Sequence, residues 1–257
     1  WEILEAFADA CEQAGIPRIP DFNTGDNEGV SYFQVNQKDG LRWNTAKAFL
    51  RPAMNRPNLT LWTHPQTEKL LFDGQRASAL RVHRRDGAAQ TVAARREIIL
   101  SAGSIGSPQI LELSGVGQGE LLAERGIETL HALPGVGENL SDHLQVRAAF
   151  RVSGVSTLNT RIKSRGGRAA MALDFALRRR GPLTMSPSQL GVFCKSDPSR
   201  ETANLQYHVQ PLSLDAFGEP LHGFDAFTAS VCNLRPESRG SVHVRTSSFR
   251  DAPSIAP

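Results

Sequence analysis

Cysteine is scarce in this chain of 257 residues. Cys11, Cys194 and Cys232 lie far apart, and no two stand in a CxxC spacing. A disulfide framework and a cysteine-based structural zinc site are thereby excluded, and a reducing compartment is expected. No apolar run reaches the ~18 residues that a spanning helix needs, and no charged-then-apolar leader opens the chain, so a cytoplasmic location is expected. Neither sign of charge dominates. Twenty-nine Lys and Arg against 26 Asp and Glu leave a net charge of +3, without a clustered basic face, and nucleic acid is not expected as a partner. The chain lacks a Walker loop, a GxSxG elbow and an HExxH pair. Gly115-x-Gly117-x-Gly119 has the wrong spacing for GxGxxG, and Gly135-x-Gly137 has no third glycine. Nucleotide hydrolases and serine or zinc hydrolases lose their support, and no metal site is expected. Internal repeats and low-complexity segments are missing as well.

With 40% hydrophobic and 21% charged residues, the chain can bury one large core or two modest ones. Ile3, Leu4, Phe7, Ala8, Cys11 and Ala14 recur at helical spacing before Gly15 and Pro17, which predicts a helix over residues 1 to 14. Residues 18 to 44 are rich in Asn, Asp, Gly and Gln and read as a long polar loop or lid. A short helix with Ala46, Ala48, Phe49 and Leu50 follows, closed before Pro52. Period-two patterning then predicts strands at 59–63, 69–72 and 79–82, with turns at Asp73-Gly74 and Asp86-Gly87. Glu97 to Leu100 reads as a strand buried on both faces. Ser107 and Pro108 predict the start of a helix that Gly115 ends. A further short helix is expected between Gly119 and Gly126. Residues 132 to 143 form a Gly/Pro/Asn/Asp connection and the best boundary. Strands near 146–152, 205–209, 227–232 and 241–244 surround one helix at about 168–180, which turns Ala169, Ala172, Leu173, Ala176 and Leu177 to one face.

Few residues signal chemistry by themselves. The turn Ser101-Ala102-Gly103 joins a strand to a helix, and small residues there let a backbone approach a ligand while a helix N-terminus offers N–H groups to an anion. The plainer reading, a tight turn of any α/β protein, is the more frequent one. Each of the seven histidines stands alone in sequence, and His143 and His208 read as surface or hydrogen-bonding residues. Arg178-Arg179-Arg180 reads as helix-end cations. No catalytic residue is assigned.

The run Gly103-Ser104-Ile105-Gly106-Ser107-Pro108-Gln109-Ile110-Leu111-Glu112-Leu113-Ser114-Gly115-Val116-Gly117 resembles the second signature of the glucose-methanol-choline (GMC) oxidoreductases. Gly40-Leu41-Arg42, Asn58-Leu59, Arg96 to Gly103, Pro134 to Leu140, Asp142-His143 and Asn233 to Gly240 extend the likeness over nearly the whole chain, toward the choline-dehydrogenase-like branch. The resemblance implies an FAD-dependent enzyme that oxidises a small-molecule alcohol, with hydride passing to the flavin and a histidine acting as base. It implies that the glycine-rich βαβ unit would precede Trp1 and the catalytic His would follow Pro257, so this chain is the middle of such an enzyme and inactive alone. Its fold would be α/β plus α+β: part of an FAD-binding Rossmann-like domain with an antiparallel-sheet substrate domain. Residues 1–50 and 142–257 would belong to the substrate side and 51–141 to the FAD side. Thr67, where the family usually has Val, would meet the adenine through its backbone, and Ser101, Ala102 and Gly103 would pass close to the adenosine half of FAD. The alternative is a non-catalytic binding or scaffold module that keeps the fold. Neither the electron acceptor nor membrane association is specified.

Overall fold

The computed structural model describes residues 1–216 and 218–257. In chain order its principal elements are α1 (Glu2–Gln13), β1 (Gly29–Tyr32), β2 (Gln66–Asp73), β3 (Arg76–His83), β4 (Ala89–Ala93), α2 (Gly103–Leu113), α3 (Gly119–Glu124) and β5 (Glu138–Leu140). These are followed by β6 (Gln145–Arg151), α4 (Arg165–Arg178), β7 (Leu190–Cys194), β8 (Leu205–Gln210), β9 (Ala226–Asn233), β10 (Gly240–His243) and β11 (Ser254–Ala256). They form two compact units, one of Trp1–Arg56 with His143–Pro236, the other of Pro57–Asp142 with Glu237–Pro257. No helix among the described residues is long and apolar enough to cross a membrane.

The first unit is built on an antiparallel sheet in the order β1-β7-β8-β9-β6. α1 covers one of its faces. Ile3, Leu4, Ala8 and Cys11 of the helix pack with Val30, Leu190, Val192 and Val209 of the sheet, so the helical period of one segment meets the period of two in the others. On the outer side of α1, Arg18 bonds Glu5 at 3.0 Å and Glu12 at 2.8 Å and also pairs with Asp9. Residues 18–44 are not one loop. Val30 is buried in the core and draws β1 into the sheet, and residues 37–38 pair with 41–42 around a turn in which Asp39 and Gly40 both have positive φ. Pro52 does not end the next helical segment. The turn Ala46–Leu50 is a π-helix, and Pro52 sits in the first turn of the α-helical piece Arg51–Ala53, where a missing N–H costs little.

α4 begins three residues earlier than its periodicity predicts, capped by Ser164, whose Oγ accepts from the Gly167 N–H at 3.3 Å. The shared apolar face is the outer one: Leu177 is 74% exposed, and Met171, outside that stripe, is the buried residue of the helix. Periodicity finds a stripe but does not say which stripe meets a neighbour, and here the helix packs against the turn Pro182–Thr184. β7 was not foreseen from the sequence.

The second unit holds the meander β2-β3-β4 and a small sheet β11-β10-β5. Two segments that read as strands, 59–63 and 97–100, have no ladder partner among the described residues, and Ile99 is 76% exposed. Apolar alternation gives a segment the capacity to pair; hydrogen bonding needs a neighbour. Residues 237–257 join this unit, not the preceding strands, because β10 pairs with β5 across about 100 residues. Among the described residues, the parallel pairings are the two-residue ladder of Val116–Gly117 with His131–Ala132 and the bridge of Arg18 to Val30. The architecture is therefore mixed helices with antiparallel sheets.

Candidate functional site

In the second unit α2 carries Gly103 to Leu113 of the long Gly103 to Gly117 run, and Val116–Gly117 at its end pairs with His131–Ala132. The helix opens at Gly103, capped by Ala102, four residues before the Ser107 start that sequence predicts, so Pro108 lies inside it. Ser107 still serves the start: its Oγ accepts the Ala102 N–H at 3.2 Å. Gly103 has φ +80°, a region that side chains resist, and no atom lies within 4 Å of where its Cβ would be. Both properties suit a backbone that a ligand approaches closely. At the other end Ser114 Oγ donates to the Ile110 carbonyl at 2.5 Å and accepts from Leu70 N at 2.8 Å, which ties α2 to β2. Thr67 lies on β2, beside an irregularity in its pairing with β3 between Thr67 and Lys69. Ser101, Ala102 and Gly103 sit at the α2 entry, so all four expected cofactor residues belong to this unit, Thr67 on the strand that Ser114 ties to the far end of α2.

Beside α2 runs a cleft of about 740 Å³, lined by Ser104, Ser107 and Leu111 of the helix and by Gly135, Gly137 and Asn139 of the following loop. The loop is held by a chain of polar contacts. Glu112, wholly buried, meets His243 Nδ1 at 2.7 Å and accepts the Val244 N–H at 2.7 Å, while His243 Nε2 lies 3.0 Å from Glu138. Gly137 has φ +79°, and a Cβ there would stand 2.3 Å from the Val242 carbonyl oxygen and collide with the His243 ring.

In the first unit the sheet face opposite α1 is polar, buried along β9 and exposed at Gln145, Ala149 and Arg151 of β6. Register places Gly191, His208, Ser230 and Arg147 side by side across four strands, with Gln206, Cys232 and Gln145 in the next row and Gln210, Thr228 and Ala149 in the row beyond. Thr228, Ser230, Cys232 and Gln210 are buried. A cleft of about 290 Å³ opens here, lined by Gln145, Ser188, His208, Gln210, Ser230 and Cys232 together with His143. Gln210 Nε2 donates to Ser188 Oγ at 2.9 Å, but Gln210 Oε1 is buried without a hydrogen-bond partner. Burial, reinforced by the nearby His143, lowers the His208 pKa and keeps its ring neutral at pH 7. Phe33 packs on that ring with centroids 5.2 Å apart, in space that the missing Cβ of Gly191 leaves open. The sequence reading passed over His208 and missed Gln210 and Ser230. The available signal was polar residues at every second position of strands whose alternate residues are apolar.

A third cluster has the makeup of a hydrolytic triad but not its access. Ser213 Oγ is 2.8 Å from His222 Nδ1, and His222 Nε2 is 3.0 Å from Asp215. Ser213 is wholly buried and its Oγ also accepts from Asn159 Nδ2 at 3.0 Å, so no substrate carbonyl can reach it.

The family profile described as GMC oxidoreductase matches residues 2–145. An alcohol dehydrogenase (acceptor) of Pseudomonas putida is 34% identical over 256 residues, covering 99% of this chain and 46% of that protein. An oxygen-dependent choline dehydrogenase of Stenotrophomonas maltophilia is 37% identical over 256 residues, covering 99% of this chain and 45% of that protein. Among solved structures, an FAD-dependent oxidoreductase from Chaetomium thermophilum superposes with a TM-score of 0.84 at 23% identity, covering 98% of this chain and 50% of that one. The chain thus spans about half the length of the proteins it matches.

Proposed function

The chain belongs to the GMC oxidoreductase family, and on that premise we propose that it forms the central part of an FAD-dependent oxidoreductase acting on the CH–OH group of a small alcohol. The observation that carries the reading is the Gly103 to Gly117 run, which opens as a helix whose entry glycine has positive φ and open space beside it. The names of the Pseudomonas and Stenotrophomonas relatives supply the reaction class.

The residues present fit part of FAD. An entry glycine with positive φ and open space beside it, a helix start whose N-cap makes no side-chain hydrogen bond and a cleft of about 740 Å³ lie in one unit. Residues 51–141 are assigned to an FAD-binding, Rossmann-like domain, and 1–50 with 142–257 to the substrate side. Thr67 would meet the adenine through its backbone, and Ser101, Ala102 and Gly103 would border the adenosine half. When bound, FAD supplies the two-electron acceptor for alcohol oxidation. What this chain contributes is position. α2 presents its N–H groups at a fixed place, the Glu112–His243–Glu138 chain holds the 135–139 loop against β10, and the polar sheet face of the first unit offers neutral donors and acceptors to a ligand. A cytoplasmic location is part of the proposal.

The test is to express the complete coding sequence and this chain side by side, desalt both after incubation with FAD, and record flavin spectra and dye reduction with primary alcohols. The longer protein is expected to hold flavin and reduce dye, and the 257-residue chain to do neither. A longer protein without flavin and without alcohol-dependent reduction overturns the reading.

A further inference from the structure

The polar face of the first unit, buried at Thr228, Ser230, Cys232 and Gln210 and open along β6, constrains the charge of whatever binds there. Its strand positions are Ser31 on β1, Gly191 and Phe193 on β7, Gln206, His208 and Gln210 on β8, Thr228, Ser230 and Cys232 on β9, and Gln145, Arg147, Ala149 and Arg151 on β6. None is Asp or Glu, and none of the residues lining the cleft of about 290 Å³ is acidic. A cation that leaves water for the buried side of this cleft, at Gln210, Ser230 and Cys232, gives up hydration and needs a carboxylate or an equivalent field in return. This face has amides, hydroxyls, a thiol and imidazoles, with arginines as its strand charges. One polar atom of the lining, Gln210 Oε1, is buried without a partner while its own Nε2 is engaged by Ser188. An unpaired acceptor inside a polar cleft is matched by a ligand that donates a hydrogen bond, such as a hydroxyl. His208, next to Gln210 on the same side of β8, adds a ring with no side-chain hydrogen bond of its own among the described residues.

We propose that this cleft selects an alcohol that carries no positive charge, hydrogen-bonding its polar group at Gln210 and His208, and so discriminates against quaternary ammonium alcohols such as choline. The proposal rests on the oxidoreductase reading for its reaction and on the lining of the cleft for its charge preference. The strand face itself carries no carboxylate to balance the positive charge of choline.

Choline and 3,3-dimethylbutan-1-ol have the same shape and differ by one positive charge, so they isolate the effect. With the flavin-loaded enzyme from the complete coding sequence, kcat/KM is expected to favour the neutral alcohol by about tenfold or more. Equal use of the two, or a preference for choline held by cation–π contact with Phe33, overturns the proposal. Binding is read independently from the melting temperature with each compound: the neutral alcohol is expected to raise it and choline to leave it unchanged, and the reverse overturns the charge selection. Turnover of neither compound, nor of any other alcohol, defeats the oxidoreductase reading, while the melting comparison still decides charge selection. Gln210→Glu places a carboxylate in the cleft and is expected to narrow the neutral-to-choline ratio by about tenfold; an unchanged ratio in folded variant counts against the assignment. Because the comparison on the unaltered enzyme needs no variant, a Gln210→Glu protein that fails to fold leaves the decision with the two alcohols.

Discussion

Glu112 and His243 stand 131 residues apart in sequence and 2.7 Å apart in space, with the carboxylate wholly buried and its second oxygen accepting the Val244 N–H at 2.7 Å. A buried carboxylate is tolerable only while such partners remain. His243→Leu leaves Glu112 with the backbone bond but without the imidazole, and a loss of about 3 kcal/mol or more is expected. Replacing both residues by Leu is expected to cost less than His243→Leu alone, because no charge is stranded. Urea denaturation of the two variants checks this. A single variant within about 0.5 kcal/mol of the parent would show that water, not His243, satisfies Glu112.

Gly137 is confined by the same region. Its φ of +79° and the 2.3 Å approach of a would-be Cβ to the Val242 carbonyl oxygen leave no flexible group to yield. Gly137→Ala is expected to destabilise by about 2–4 kcal/mol, the sum of an unfavourable dihedral and backbone displacement. A thermal melt is sufficient, and an unchanged midpoint would rule out the packing described for β5 and β10.

Gly103 makes a different prediction because its surroundings are open. Gly103→Ala meets no atom within 4 Å but must still hold φ near +80°, so a cost of about 1–2 kcal/mol is expected from conformation alone. Gly103→Val is expected to lose flavin beyond what that cost explains, since its branches enter the ligand space, whereas Thr67→Val changes little if only its backbone is used. Flavin content of the three purified full-length variants decides. Equal loading of the Ala and Val variants at equal stability would remove the cofactor role from this turn.

Acid is expected to act through Asp225. Hydrogen bonds from Thr160 Oγ1 at 2.5 Å and from the Thr157 N–H at 2.7 Å hold its carboxyl below the usual carboxylate range. A folded value lower than the unfolded one means that the contribution is complete above the unfolded value of about 4 and fades as pH falls through the folded value. Asp225→Asn is therefore expected to melt about 2–4 °C below the parent at pH 7, with the gap closing under pH 4. A gap independent of pH would mean that Asp225 acts by shape alone.

His208 titrates in the opposite sense from a paired histidine. Burial and the neighbouring His143 lower its pKa, so its neutral form is favoured in the fold and stability present above the unfolded value of about 6.5 is lost as pH drops through and below it. Arg147 and Ser230 are its neighbours across the sheet. Melting curves from pH 8 to 5 are expected to fall more steeply for the parent than for His208→Asn, and parallel curves would deny His208 this role.

Local pattern was enough for α1, whose apolar spacing and terminal Gly15 describe a helix wherever it packs, and for β2 and β3, where alternation on either side of Asp73-Gly74 leaves a hairpin as the compact solution. It was enough, too, for the family: the Gly103 to Gly117 run is long and its glycines answer to backbone geometry, as the positive φ of Gly103 and Gly115 bears out. Other features depended on neighbours that a linear reading cannot see. Leu59 to Thr63 and Glu97 to Leu100 have strand character but no ladder among the described residues, Leu173 and Leu177 form a stripe that faces outward, and 237–257 changes unit because β10 meets β5. His208, Gln210, Ser230 and Gln145 are unremarkable singly, and Glu112 and His243 carry no shared motif. Register across the antiparallel strands brings the first group into one cleft, and the contact of α2 with β10 brings the second pair together. Periodicity and turn chemistry are properties of a few consecutive residues and are written in the chain; which faces meet, and which polar atoms are left without a partner, is settled by long-range pairing that takes shape only when the strands align.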